Sequence, residues 1–175
     1  MNITFQLIYK ELEQQRAEVL AMVKTLSPEK YNHSSSPKRW SIGQILTHIL
    51  IAEQLSFGYM KKKAMGIDQL KNAGPVQFFL FQILKASQRI PALKFKAPKV
   101  VLENTPPPFS FSDLTQRWDA HRSELKSFLE KIEDKNVHKL IYKHPAVGRL
   151  SGPQALMFFR EHIVHHLPQI RKRLN

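Results

Sequence analysis

The stretch Ser151–Leu174, SGPQALMFFREHIVHHLPQIRKRL, decides the fold because a helix start signal precedes a long apolar stripe. Ser151 and Gln154 have the spacing of a capping box, in which the two side chains satisfy backbone N–H groups at a helix start. The pattern predicts an amphipathic helix running towards Arg173, with one face in a core. Its apolar residues recur every three or four positions: Leu156, Phe159, Ile163, Leu167, Ile170 and Leu174.

Three further segments show the same helical periodicity, and each begins or ends at a recognisable signal. Four helices with apolar faces bury them together in a four-helix bundle, so we predict an all-α fold of this architecture. The segments are Ile3–Leu26, ended by Ser27-Pro28; Ile42 to about Lys62, after the capping box of Ser41 and Gln44; and Phe111–Asp134, capped by Ser110 or Ser112.

The connection between the second and third helices is long, at roughly residues 64–110. It contains a predicted extra helix, Pro75–Ile90, followed by proline-rich extended chain that ends in Pro106-Pro107-Pro108. The apolar segment Phe78–Phe81 could cover the bundle end or form a homodimer contact. No β pattern of useful length and no internal repeat is present, so residues 1–175 are expected to form a single domain.

The amino-acid composition excludes several kinds of site and of cellular location. The chain has no cysteine, which excludes disulfides, thiolate metal sites and a cysteine nucleophile. The amino terminus lacks a signal-peptide pattern, and the apolar run Val76–Leu84 is shorter than the ~20 residues of a membrane span. We therefore expect a soluble cytoplasmic protein that does not enter a membrane.

The net charge of +13 raises a second possibility, a basic non-enzymatic module that binds nucleic acid or an anionic surface. The visible basic clusters are spread along the chain, and none is interleaved with aromatic residues as in a nucleic-acid-binding motif. A nucleic-acid partner is therefore disfavoured, and a basic solvated surface accounts for the charge.

Three of the eight histidines lie close together in the last helix. With Ile163 at the centre of the apolar face, His166 lies at about −60° and His162 at about −100°, on the same edge. His165 lies near 200°, approximately opposite, so we expect its side chain to point into solvent. An i, i+4 pair of histidines on one helix face is an arrangement that can bind one metal ion.

Two imidazoles do not complete a metal site, so a third ligand is expected from another helix. His48 lies at about −60° from Ile45, at the edge of the apolar face of the second helix. His121, within the apolar stripe of the third helix, is the competing candidate. The alternative is a purely structural role, in which these histidines are hydrogen-bonded residues at the edge of the apolar core. Three more histidines lie in predicted linkers and are weaker candidates: His33, His138 and His144.

Two glutamines are candidates for orienting the imidazoles. Gln44 lies one turn before His48, and Gln169 lies three residues after His166 on the same edge. Either could equally be a solvated boundary residue. Glu53 lies about 140° around its helix from His48, so we do not assign it as a catalytic base.

Two motifs resemble those of a known family. The run Trp40–Ile49, WSIGQILTHI, followed by Ala52-Glu53, resembles the second-helix signature of the DinB-like superfamily of helical-bundle metalloenzymes. The runs His144–Gly148, HPAVG, and His162–Ile170, HIVHHLPQI, resemble the fourth-helix region of the same family. The resemblance covers essentially the whole chain.

Transferred residue by residue, the family's three-histidine site falls on His48, His162 and His166, the same three that the helical angles favour. The resemblance implies a divalent metal ion. Both Zn²⁺ and Ni²⁺ are candidates, because histidine ligands alone do not select one of them. It also implies a small-molecule substrate and a metal-dependent reaction of the thiol S-transferase or hydrolase type. Because the chain lacks cysteine, a low-molecular-weight thiol would have to be a substrate.

Overall fold

Helices account for most of the structure, a computed structural model that describes residues 1–36, 39–90 and 99–174. Short 3-10 turns at Ile67–Gln69 and Asp134–Asn136 connect some of the elements. The elements in chain order are α1 (Ile3–Val23), α2 (Pro28–Asn32), α3 (Ile42–Ala64), α4 (Pro75–Gln88), α5 (Lys99–Asn104), α6 (Phe111–Glu130), β1 (Tyr142–His144), β2 (Gly148–Leu150) and α7 (Gly152–Leu174).

The four long helices α1, α3, α6 and α7 form a bundle. Both α1 and α3 pack against α7 and against α6, so each long helix has two long neighbours. Their apolar faces meet in one core, as the helical periodicity requires. The predicted all-α four-helix bundle is therefore confirmed. Fully buried members of this core include Leu12, Ile45, Ile49, Trp118, Leu125, Leu156 and Ile163.

Both predicted capping boxes are present, and they fix where the two site-bearing helices begin. Gln44 Oε1 accepts the Ser41 N–H at 2.8 Å, while Ser41 Oγ accepts the Gln44 N–H at 3.1 Å. At the start of α7, the Ser151 N–H donates to Gln154 Oε1 at 2.9 Å. The Gln154 N–H donates to Ser151 Oγ at 3.4 Å. These reciprocal bonds satisfy backbone donors that would otherwise be unpaired at each helix start.

The prediction that Ser27-Pro28 ends the first helix is wrong. Helix α1 already ends at Val23, before Leu26, and Ser27 is the N-cap of the short helix α2. Pro28 occupies the first turn of α2, where its missing N–H leaves no hydrogen bond unmade. The proline therefore starts a helix instead of ending one.

The other helix boundaries differ from the predicted ones by a few residues, since helix ends depend on local caps. Ser110, not Ser112, caps α6 by accepting the Asp113 N–H at 3.1 Å. The shifted ends are Ala64 for α3, Gln88 for α4 and Glu130 for α6, against the predicted Lys62, Ile90 and Asp134.

A small β-hairpin between α6 and α7 was not predicted. Strands β1 and β2 pair antiparallel, with Tyr142 opposite Leu150 and His144 opposite Gly148. Each strand has three residues, too short to give a period-two pattern. Gly148 closes the hairpin with a φ of 77°, a conformation that favours glycine. Part of the segment predicted to be extended, Lys99–Asn104, is helical, and residues 91–98 lie outside the described residues.

Helix α4 is apolar on two faces. Phe81 and Leu84 are buried against the bundle, whereas Phe78 and Phe79 are 61% and 64% exposed. The predicted segment Phe78–Phe81 is thus divided between the core and the surface, and the homodimer contact stays a prediction. Within the described part of the chain, no helix is both long and apolar enough to cross a membrane.

Candidate metal centre

His48, His162 and His166 come together between α3 and α7. Each offers a ring nitrogen, and these three nitrogens lie within 4.8 Å of one another. The ring centroid of His48 is 5.2 Å from each of the other two, which are 4.8 Å apart. Among the described residues, this is the one group of three such side chains close enough to share a metal ion.

The packing of α7 against α3 produces this convergence. Ile45 and Ile163 are fully buried in the shared core, and the histidines flank these apolar faces. His48 and His166 are buried and His162 is half-buried. Helix α7 continues through Pro168 to Leu174, so the proline does not end the helix beside the site.

The His162–His166 pair has the spacing of two ligands on one ion. Their Nε2 atoms are 3.1 Å apart. Two imidazole nitrogens at the usual zinc–nitrogen distance and tetrahedral angle would be about 3.3 Å apart. The i, i+4 register of α7 therefore supplies the required separation without a rearrangement of the helix.

All three imidazoles are held in the neutral form that can bind a metal. Burial, with a contribution from the charge of His165, lowers the pKa of His48 to about 4. Burial and the charges of His48 and His165 lower the pKa of His166 to about 3. Burial and the neighbouring histidines also lower the pKa of His162 well below its usual value. At neutral pH, each ring therefore keeps a lone pair available.

An unpaired nitrogen also indicates a missing partner. Nδ1 of His48 is buried and has no hydrogen-bond partner among the described residues. A buried polar atom without a partner destabilises a fold by roughly 1–3 kcal/mol. Such atoms are rare in native proteins, and an ion or a water held by this ring would remove the deficit. His121 Nε2 is likewise buried and unpaired, so it is the donor set of three converging imidazoles that fits a divalent ion.

Aromatic side chains enclose the cluster on two sides. The Trp40 ring lies 4.8 Å from the His48 ring, and Phe158 stacks on His162 at 5.6 Å with an interplanar angle of 12°. Arg173 of α7 donates a hydrogen bond to the carbonyl of Trp40, which ties that ring to the helix bearing two of the histidines. These contacts limit how far His48 and His162 can rotate.

The two candidate glutamines have different positions. Gln169 Oε1 lies 3.4 Å from His166 Nδ1, where it can accept the ring N–H and leave Nε2 free for a metal. Gln44 Oε1 instead accepts the backbone N–H of Ser41 in the capping box. In the described structure Gln44 makes no hydrogen bond to His48.

The prediction that His165 points into solvent is wrong. Its side chain is half-buried, and its Nδ1 lies 3.0 Å from the Gln88 carbonyl oxygen at the end of α4. Helical angles within α7 place this residue away from the bundle core, but they do not reveal that α4 packs on that side. His165 is therefore a contact between the two helices.

A second α4–α7 contact was missed. Glu161 is 1% exposed and accepts two hydrogen bonds from Arg89, at 2.8 and 2.9 Å. Burial alone would raise the pKa of the Glu161 carboxyl, but the bonds and charge of Arg89, with a further contribution from Arg160, lower it. The glutamate directly precedes His162, yet nothing in the sequence identifies its partner on α4.

The competing candidate, His121, lies in a different part of the bundle. It belongs to a buried polar cluster in which Glu53 accepts hydrogen bonds from Trp118 Nε1 at 3.1 Å and from Arg122 Nη2 at 2.9 Å. His121 Nε2 is 3.6 Å from Glu53 Oε2. The glutamate is thus occupied within the core. Of the linker histidines, His33 and His138 are exposed, and His144 is buried on β1.

The fold and the candidate site place the chain in one class of protein: all-α helical bundles with three histidines that could hold a metal ion. The chain belongs to the DinB superfamily, whose family model matches residues 11–170. Among curated proteins, none is significantly similar to this chain.

Proposed function

We propose that this protein is a metal-dependent enzyme that acts on a small molecule. His48, His162 and His166 would hold one divalent ion, with Zn²⁺ or Ni²⁺ the expected metals. The observation that carries the proposal is the convergence of three neutral ring nitrogens within 4.8 Å, with one buried nitrogen left unpaired. The DinB superfamily membership agrees with this assignment.

The donor set favours catalysis over a structural role. Structural zinc sites use four protein ligands, whereas three protein ligands leave a position for water or a substrate. A divalent ion there would lower the pKa of a coordinating water or thiol, or polarise a carbonyl group. Since the chain has no cysteine, a thiol would come from the substrate, and thiol S-transfer or hydrolysis are the reaction types proposed.

In this proposal the surrounding side chains orient the three histidine rings. Gln169 would hold the Nδ1–H of His166 and so keep Nε2 turned towards the ion. Trp40 and Phe158 would hold the other two rings in place and reduce the access of bulk water. A site of this kind binds its metal without first ordering its ligands, which favours affinity.

Metal analysis of the protein purified without a histidine tag tests the ligand assignment. We expect about one divalent ion per chain, as three ligands for a single ion imply. His48→Ala, His162→Ala and His166→Ala should each lose it, while His165→Ala should keep it. Equal loss in His165→Ala would contradict the assignment.

The metal-loaded protein can then be tested for thiol transfer from 2-mercaptoethanol to an electrophilic dye, and for ester hydrolysis. Activity that depends on the metal and disappears in His48→Ala would support an enzyme. If metal-free protein instead binds an anionic polymer with an affinity that falls steeply with salt, the basic-module alternative is favoured.

A further inference from the structure

A buried histidine that is not one of the proposed ligands lies near the proposed metal centre. His144 is the last residue of β1, and its side chain is 8% exposed. It begins the turn that leads through Pro145 and Ala146 to Gly148 on β2. A histidine this well buried needs a reason, because burial disfavours its charged form and leaves its ring nitrogens requiring partners.

The turn fixes the tautomer of His144. The backbone N–H of Ala146 donates to His144 Nδ1 at 3.1 Å, so this nitrogen contributes its lone pair. In a neutral imidazole one nitrogen accepts and the other carries the proton, which places the proton on Nε2. Gly148, with its φ of 77°, allows the chain to close this turn. The hairpin thus presents His144 as a neutral hydrogen-bond donor.

One aromatic ring separates His144 from a proposed metal ligand. The His144 ring centroid is 4.5 Å from that of Phe158 in an edge-to-face contact, and Phe158 stacks on His162. The one hydrogen bond that His144 makes within the described structure uses Nδ1, and Nε2 has no partner there. A positioned donor without a protein partner, one aromatic ring away from the metal ligands, can serve a bound molecule.

We propose that His144 donates its Nε2–H to an acceptor atom of a substrate bound at the three-histidine cluster. The inference rests on the proposed function and adds a specificity element to it. A substrate with a sulfur or oxygen acceptor near its reacting atom would be retained and oriented. One without such an acceptor would leave the His144 N–H unpaired, and it would bind less well.

Binding of a probe thiol to cobalt-loaded protein tests this role without a turnover assay. Binding of 2-mercaptoethanol can be followed by the absorption band that a thiolate gives on contact with cobalt. His144→Phe keeps an aromatic ring against Phe158 but removes the donor, so thiol affinity should fall roughly 10-fold with cobalt content unchanged. His144→Gln, which retains an N–H donor at similar reach, should recover most of the affinity. The matched control His138→Phe changes an exposed histidine and should bind the thiol as the wild type does.

Unchanged affinity in His144→Phe would overturn the role of His144 and leave the proposed function standing. A wild-type protein that binds neither cobalt nor the thiol would overturn the proposed function, and this inference with it. Nitrogen NMR of the zinc-loaded wild-type protein gives a second test that needs no variant. It should find the proton of His144 on Nε2, with a resonance that shifts on thiol addition; a proton on Nδ1 would overturn the proposal.

Discussion

Arg89 and Glu161 join α4 to α7 immediately beside the candidate metal centre. The Arg89 guanidinium donates two hydrogen bonds to a carboxylate that is 1% exposed, at 2.8 and 2.9 Å. A second contact lies about one turn further along α7, where His165 Nδ1 meets the carbonyl oxygen of Gln88, the residue before Arg89. The long connection between α3 and α6 is therefore held on the same helix that carries two of the proposed ligands.

Removing Arg89 should weaken the fold and raise the pKa of Glu161. Arg89→Met leaves the buried carboxylate with Arg160 as its remaining charged partner, at 3.3 Å. Because the Arg89 side chain is half-exposed, we expect a loss of only about 1–2 kcal/mol of unfolding free energy at pH 7. Urea unfolding measures it, and Lys85→Met on the same helix is the matched control. Equal losses in the two variants would show that the ion pair contributes nothing specific.

The metal-free protein should lose stability as the pH falls from about 6.5 to 4. Burial lowers the pKa of His48 and His144 to about 4, and of His121 and His166 to about 3. Since the unfolded chain takes up these protons near pH 6.5, it binds more protons than the folded state throughout that window. Each such histidine contributes a loss of up to about 1.4 kcal/mol per pH unit.

Chemical unfolding at pH 7.5, 6.5, 5.5 and 4.5 measures this slope. His144→Gln removes one titrating ring, so its curve should be shallower by up to about 1.4 kcal/mol per pH unit near pH 5.5. A free energy of unfolding that stays constant from pH 6.5 to 4.5 would show that the histidines are not buried in the neutral form.

The two glutamines should separate metal affinity from helix stability. Gln169→Leu removes the acceptor at 3.4 Å from His166 Nδ1, and we expect metal affinity to fall roughly 10-fold, as for other groups that orient a ligand. Gln44→Leu removes one half of the α3 capping box and should lower the unfolding free energy by about 1 kcal/mol. Competition with a chelating dye measures the affinity, and thermal unfolding measures the stability. An affinity loss in Gln44→Leu as large as in Gln169→Leu would assign Gln44 to the site as well.

The sequence was sufficient for features that depend on one helix at a time. Periodicity defined the four long helices, and the angle between residues on α7 separated His162 and His166 from His165. Features that depend on where a second element packs were missed. The contacts of Glu161 and His165 require knowledge of α4, and the buried position of His144 requires a hairpin whose strands are too short to show a pattern.

Glycines on α3 provide a test of the packing itself. A Cβ on Gly43 would lie 2.6 Å from Tyr31 Cε1, and Tyr31 is 2% exposed, so its ring has little room to move. Gly43→Ala should therefore destabilise the protein by about 1–3 kcal/mol, the usual effect of overpacking.

Gly58 lies on the exposed side of the same helix, and a Cβ there meets nothing within 4 Å. Gly58→Ala should stabilise by about 0.5–1 kcal/mol, because alanine loses less backbone entropy in a helix. Thermal and urea unfolding of the two variants measure both changes. If Gly43→Ala were as stable as Gly58→Ala, the close packing of α2 on α3 would be wrong.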